Sequence, residues 1–541
     1  METEEIADGL KLTAQLMELH NENPFKVRSL SNAAFKLDKT NISLEGKTLA
    51  ELEAIEGIGK GIAQKIIEFN EQGTTAELKA LLEKTPAGVI EMLGIKGIGP
   101  KKVGQLWQEL QIESPGELLY ACKENRLLAL KGFGEKTQEA VKKAIEFKMA
   151  NKGSFHYAVL EKTGNELVEK VKKIVGTDLV SLTGEMRRKS IIIQHFEILV
   201  AAKPDFDFSG LEIPAGLKVN FICCSPEEFA GKLFETTAAT RHLEELKDWE
   251  KVFKSLGEGG DEKKLYAALD MQYIEPELRE GREEVALARA KQIPELITMN
   301  DLKGILHNHS TWSDGVNTLQ EMAAYCMELG YEYLGMCDHS QSAFYANGLK
   351  PDRVLEQQKE IDQLNAKMAP FRIFKGIESD ILFDGSLDYP EDILKTFDFV
   401  VASIHSVLKM NEEKATSRLI TAIENPYTTI LGHPTGRLLL SREGYPINHE
   451  KVIDACAANG VIIELNAHPY RLDIDWTWIP YCLKKGVMIS INPDAHEKEG
   501  YKDMYYGVCA ARKGMLSAKH CFNALNREQL SDYFQKRKSK S

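Results

Sequence analysis

His307 and His309 stand two residues apart at the end of the apolar run GILHNHS, so both imidazoles can enter one site where the chain leaves a strand. Asp314 follows in a WSDG turn. His339 closes YEYLGMCDHS, Glu378 closes FRIFKGIESD, His405 closes FDFVVASIHS, His433 closes TTILGHP, and Asp494 with His496 closes VMISINPDAH. Singly, each has a plain alternative: Asp338–His339 as a helix cap beside a surface imidazole, Glu378 as a strand-end charge. Jointly, nine metal-ligand side chains fall on six of seven successive run ends, which independent surface residues would not do. Imidazole and carboxylate donors suit Zn, Mn or Fe, and no thiolate is present to force zinc. Closely spaced divalent ions lower the pKa of a shared water, giving a hydroxide nucleophile at neutral pH, and they neutralise phosphoryl and leaving-group oxygens. The expected chemistry is phosphate-ester hydrolysis, with no protein general acid assigned.

Such a constellation needs a scaffold that brings strand ends together. From about residue 300, apolar runs alternate with amphipathic stretches such as TLQEMAAYCMEL (318–329) and VLEQQKEIDQLNAKM (354–368). Seven β/α alternations, VIIELNAHP being the sixth run, predict a parallel sheet closed as a barrel. Barrels of this kind carry their sites at the C-terminal ends of the strands.

The motifs HNHSTWSDG, CDHS, GIES, ASIHS, GHP and PDAH resemble those of the polymerase and histidinol phosphatase (PHP) domain, across essentially all of 300–541. That resemblance implies a distorted (β/α)7 barrel with three divalent ions. His307, His309, Glu378 and Asp494 would hold one. Glu378, His405 and His433 would hold the second, and Asp314, His339 and His496 the third. It also favours Arg437 and Arg471 as substrate-phosphate ligands over structural ion pairs.

Residues 1–150 read as helical, with Gly-apolar-Gly breaks in IEGIGKGIAQKI, IKGIGPKKVGQL and LKGFGEKTQEAV. These resemble helix-hairpin-helix elements. Gly57, Gly59, Gly97, Gly99, Gly132 and Gly134 allow tight turns, so that amides at the next helix start face a DNA phosphate. Lys60, Lys101, Lys102 and Lys136 would assist. The segment NPFKVRSLSNAA (23–34) resembles the small 5′-phosphate-binding domain of X-family DNA polymerases.

The next segment, TGEMRRKSIIIQHFEILVAA, resembles an X-family palm whose chemistry has eroded. Gly184, Arg187 and Arg188 keep that family's pattern. Glu185 replaces its serine, His195 and Glu197 stand for two aspartates, and Asn220 stands for the third. Ile222 replaces an arginine, and ETTAAT (235–240) replaces a Gly-Ser turn. Nucleotidyl transfer needs carboxylates to hold two Mg²⁺ ions, so templated synthesis is expected to be lost.

The expected order is a helical DNA-binding domain (1–85), helix-hairpin-helix fingers (86–150), a degenerate palm (151–225), a thumb-like segment (226–290), a linker (291–300) and the PHP domain (301–541). In fold class this is a multi-domain chain: an α-helical helix-hairpin-helix region, an α+β polymerase-like palm and thumb, and the barrel. The charged stretch 274–297 reads as an exposed connection, and KRKSKS (536–541) as a disordered basic end. A net charge of −13 excludes DNA binding by a globally basic surface and leaves backbone amides and local lysines. The scattered, odd-numbered cysteines, with Cys223 and Cys224 read as core, suit a reducing cytoplasm, and no apolar run suggests a membrane span. The expected partner is DNA at a nick, gap or 3′ end, bound without sequence preference by a monomer. The expected activity is 3′–5′ exonuclease or 3′-end processing in repair. The alternatives are residual polymerase activity and small-molecule phosphomonoester hydrolysis.

Overall fold

The computed structural model describes residues 1–38, 43–150, 153–214, 216–257 and 260–539. The chain forms two compact units, one of Met1–Cys122 with Leu127–Glu146, the other of Lys123–Arg126 with Phe147–Ser541.

The first unit is helical. Its three Gly-apolar-Gly segments share one geometry: Gly57, Gly97 and Gly132 have φ of 90°, 101° and 90°, a region L side chains avoid. The residue after each glycine (Ile58, Ile98 and Phe133) is buried and anchors the turn. Gly59 and Gly99 then cap Lys60–Gln72 and Pro100–Leu110 without a side-chain hydrogen bond. The first amides of those helices therefore lack the usual capping acceptor.

In the second unit, strand Phe196–Ala201 pairs antiparallel with Val180–Leu182 and parallel with Val219–Cys224. Helix Tyr157–Val175 covers this sheet with Leu160, Leu167 and Val171. The apolar stretch 191–202 forms two strands, Ile192–Ile193 and Phe196–Ala201. Ile192–Ile193 pairs instead with Phe155–His156, and the chain breaks at Gln194 and His195, whose amides donate to Glu185 Oε2 at 2.6 and 2.9 Å.

The stretch 274–297 is not an exposed connection. Ile274, Leu278, Val285, Ala288, Ile293 and Leu296 are buried with Phe234, Leu265 and Tyr266. Its buried charges find partners outside the stretch: Glu284 lies 2.8 Å from His242 Nδ1, and Arg279 forms a two-point pair with Glu262.

The barrel strands are β1 (Gly304–Ile305), β2 (Tyr333–Met336), β3 (Arg372–Lys375, continuing as Glu378–Asp380), β4 (Val401–Ser403), β5 (Ile430–Leu431), β6 (Ile462–Asn466) and β7 (Ile489–Asn492). Neighbours pair in parallel from β1 to the first part of β3, and from its second part to β7. Parallel bridges His339↔Glu378 and Asn308↔Ala495 join the two sheets and close the ring at the strand ends. Most of these strands are buried on both faces, Ile462–Asn466 throughout, so their apolar residues do not alternate strictly with polar ones.

The basic end is ordered up to the last described residue. Arg527–Lys538 is a helix that buries Leu530 and Phe534 against the barrel, with Phe534 stacked 5.1 Å from Phe399. Arg537 donates to the carbonyls of Thr428 and Gly460. The final two residues of KRKSKS lie outside the described residues. Among the described residues no helix is long and apolar enough to cross a membrane.

Candidate metal centre

Glu378, at the end of β3, is fully buried and stands at the hub of the constellation. Its Oε1 lies 3.0 Å from His433 Nε2, 3.2 Å from His405 Nε2 and 3.3 Å from His307 Nε2. Its Oε2 lies 2.9 Å from His339 Nδ1 and 3.6 Å from His309 Nε2. Asp494 Oδ1 closes the opposite side, 2.9 Å from His309 and 3.4 Å from His307. Asp314 reaches His496 at 3.4 Å and His339 at 3.7 Å. The rings of His339 and His496 stack on His309 at 4.3 and 4.2 Å.

Three sets of side chains have ligand atoms within 4.8 Å of one another: His307, His309, Glu378 and Asp494; His309, Asp314, His339 and His496; and His339, Glu378 and His405. The first is the expected four. In the second, His309 joins the expected Asp314, His339 and His496. In the third, His339 stands where His433 was expected, although His433 remains beside Glu378. A divalent cation fits this donor set. His307 Nε2, both oxygens of Asp314, Glu378 Oε2 and His496 Nε2 are buried and, although close to one another, make no well-aligned hydrogen bond. Orphaned acceptors of that kind are costly unless a cation satisfies them.

Without a cation the cluster neutralises itself. Burial disfavours charge on Glu378, yet His405, His307 and His339 hold its carboxyl well below the usual range. Burial likewise works against His496 and His405, but Asp314 lifts the first to about 10, and Glu378 with Asp380 lifts the second to about 10. His309 moves the other way, to about 3, through burial and the charges of His496 and His339. Backbone geometry at two ligands is unusual, with φ of 52° at Asp494 and 20° at His433. Residues held in such regions cluster at functional sites.

Three carboxylates absent from the sequence-based site aim the ligands. Glu464, inside β6 and fully buried, lies 2.7 Å from His307 Nδ1 and also accepts from His433 N and Asn492 Nδ2. With Nδ1 donating there, Nε2 of His307 is left facing Glu378 and Asp494. Asp380 does the same for His405, at 2.5 Å. Asp338 is not a helix cap: it accepts from Ser310, Ser313 and Gln357, fixing the loop that carries Asp314. A sequence signal existed for two of them. Glu464 is the only acid in VIIELNAHP, and Asp380 shares a strand face with Glu378. Glu464→Gln is expected to weaken Mn²⁺ or Zn²⁺ binding by about 10–100-fold, read by competition titration against a fluorescent chelator. Unchanged affinity would remove Glu464 from this role.

Arg437 has a structural partner set. It reaches Asp475 Oδ2 at 2.5 Å and donates to the carbonyls of Arg471 and Leu472, so its guanidinium is committed rather than open to a substrate phosphate. Arg471 is buried.

Away from the barrel, the palm positions also meet. Glu197 and Asn220 face each other in register, and Asn220 Nδ2 donates to Glu197 Oε1 at 3.1 Å. Gly184 has φ of 56°, and a Cβ there would meet Glu197 Oε2 at 2.3 Å. His195 is exposed, 3.4 Å from Glu185. Arg187 pairs at two points with Glu262, and Arg188 donates to the carbonyl of Thr237. In the helical unit, Lys60, Lys101 and Lys136 are exposed, whereas Lys102 lies 4.9 Å over the Phe133 ring.

Comparison with known proteins places these sites among relatives. Residues 1–75 match the helix-hairpin-helix domain family, and 89–146 the SAM-like helix-hairpin-helix tandem family. The DNA polymerase/3′-5′ exonuclease PolX of Bacillus subtilis is 33% identical over 97% of this chain and 98% of its own. A probable phosphatase of Acetivibrio thermocellus is 30% identical over 35% of this chain and 78% of its own. One from Thermoanaerobacter sp. is 34% identical over 36% and 80%.

Proposed function

This chain belongs to the PolX family, bacterial X-family polymerases fused to a PHP domain, and from that premise we propose that its barrel is a metal-dependent DNA phosphoesterase acting at 3′ ends. The observation that carries this reading is the hub at Glu378, where five imidazoles and a second carboxylate converge with buried acceptors unsatisfied. The products would be a shortened strand or a 3′ end freed of a blocking phosphate. Zn, Mn or Fe held by the nine ligands would supply Lewis acidity toward a phosphodiester and make water acidic enough to attack at neutral pH. The chain's own part is positional: Glu464 and Asp380 aim His307 and His405, and Asp338 fixes the Asp314 loop. Uncapped helix starts at Gly59 and Gly99 favour the helix-hairpin-helix unit as the holder of DNA phosphates at a nick, gap or terminus.

Polymerisation is read as lost. A carboxylate paired with an amide at Glu197–Asn220, and a second one, Glu185, folded onto backbone amides, leave no acidic pair to hold two Mg²⁺ ions. A second reading, small-molecule phosphomonoester hydrolysis, draws on the two probable phosphatases.

Purified protein with Mn²⁺ and a 3′-labelled primer-template should release label, and His307→Ala should not. Adding dNTPs with Mg²⁺ or Mn²⁺ should give no extension. Robust templated synthesis would overturn the palm assignment; turnover of small phosphomonoesters with intact DNA would favour the second reading.

A further inference from the structure

Among the described residues of the barrel, the exposed large apolar side chains are Val316, Met327, Leu329, Phe344, Leu355, Phe383, Val407 and Leu440. Five of these, Val316, Phe344, Phe383, Val407 and Leu440, lie on loops that leave the C-terminal ends of strands, around the mouth of the metal centre. Phe344, 81% exposed, follows His339 by five residues, and Phe383, 57% exposed, follows Glu378 by five. Apolar rings in water beside a buried polar cluster cost solvation free energy without serving the core.

Both rings sit on rigid supports. Phe344 opens a short helical turn closed by Leu349 N donating to His339 O and Gly348 N to Ala343 O. Phe383 sits in a tight hairpin closed by the Ile381↔Leu387 bridge and by Leu382 N donating to Ser386 O. The two loops are tied together: Ser342 donates through N to Asp388 and through Oγ to Asp380, and Gln341 Nε2 donates to Asp388 O. A cation accompanies each neighbourhood. Lys414 Nζ lies 4.1 Å from the Phe383 ring, and Arg126 lies 4.6 Å over Tyr345, next to Phe344.

We infer that Phe344 and Phe383 form a stacking platform for the unpaired bases of a single-stranded DNA end; this rests on the DNA-phosphoesterase reading above. His307, His309 and Glu378 are fully buried, so a phosphodiester has to enter the mouth to reach them. Its base must then leave the duplex stack, which is least costly when it is already unpaired. Rigid aromatic faces flanked by cations replace the lost stacking for any base, so the grip is independent of sequence.

The test uses full-length protein with Mn²⁺ and two substrates, 3′-labelled oligo(dT) and bis(p-nitrophenyl) phosphate. In Phe344→Ala and in Phe383→Ala the ratio of kcat/KM for oligo(dT) to that for the small diester should fall about tenfold, with Phe344→Trp recovering it. Oligo(dT) ending in 2-aminopurine should lose fluorescence on binding to the wild type, and much less on binding to the double alanine variant. A double variant that keeps the wild-type ratio and the wild-type quench overturns the platform, as does an equal loss of kcat/KM on blunt duplex. If the wild type quenches 2-aminopurine through these rings yet never shortens oligo(dT), the platform stands and the exonuclease reading fails.

Discussion

Glu378→Gln is expected to lower phosphoester hydrolysis by about a thousandfold or more, an effect of roughly 4 kcal/mol on the barrier, while the chain stays folded. The amide keeps the shape of the carboxylate but not its charge. Its −NH₂ would also point a donor at one of two oxygen positions that now face five imidazole nitrogens. Glu378 belongs to two of the three candidate ligand sets, so two ions should be weakened together. The set of His309, Asp314, His339 and His496 does not include it and should keep its ion. Metal analysis by mass spectrometry on protein dialysed against Mn²⁺ should therefore show a partial, not complete, loss per chain. Wild-type turnover with wild-type metal content would refute the hub; a complete loss of metal would refute the independence of the set of His309, Asp314, His339 and His496.

The partial loss depends on geometry that the sequence conveys unevenly. Strand-end ligands were legible because a parallel barrel forces each run to end on one rim, so residue type and position together name the site. Their grouping was less legible. His339 meets Glu378 across the β2–β3 bridge, a contact fixed by register and not by spacing along the chain. A lone acid in an apolar run marks Glu464 as unusual, but that it aims His307 is set by the fold and not by the run itself. At 274–297 the charge pattern of an exposed helix misleads: Arg279 is neutralised by Glu262 and Glu284 is hydrogen-bonded to His242, partners distant in sequence that let both be buried. The C-terminal helix was hidden by its basic tail, although Leu530 and Phe534 stand one turn apart on the face it buries. Composition reports that charge is present, whereas its burial depends on partners brought from elsewhere in the chain.

The Arg279–Glu262–Arg187 cluster gives the largest expected stability effect outside the barrel. Two guanidiniums clasp one carboxylate: Arg279 at 2.8 and 2.9 Å, Arg187 at 2.6 and 2.8 Å. Arg279 is fully buried, with the rings of Phe234, Tyr266 and Tyr273 between 5.3 and 5.7 Å away. Burial alone would raise the pKa of Glu262, but the hydrogen bonds and charges of Arg187 and Arg279 bring it down to about 2. Against an ordinary value of about 4.3, that depression is worth on the order of 3 kcal/mol. Because the folded value is the lower one, this contribution is complete above about pH 5 and is lost as pH falls toward 2. Glu262→Gln should thus destabilise the segment by about 3–5 kcal/mol at pH 7, since it strands a buried guanidinium. The gap between variant and wild type should narrow by about 2 kcal/mol on going to pH 3. Hydrogen exchange of the Glu262–Ala268 amides reads this locally, without requiring a multi-domain chain to unfold in one step. A gap that stays constant between pH 7 and pH 3 would mean that the carboxylate charge is not what the two arginines stabilise. If the gap behaves as expected, Arg187, which keeps the X-family pattern, is committed to Glu262 and not to a phosphate, and restoring aspartates at His195, Glu197 and Asn220 should not by itself restore polymerisation.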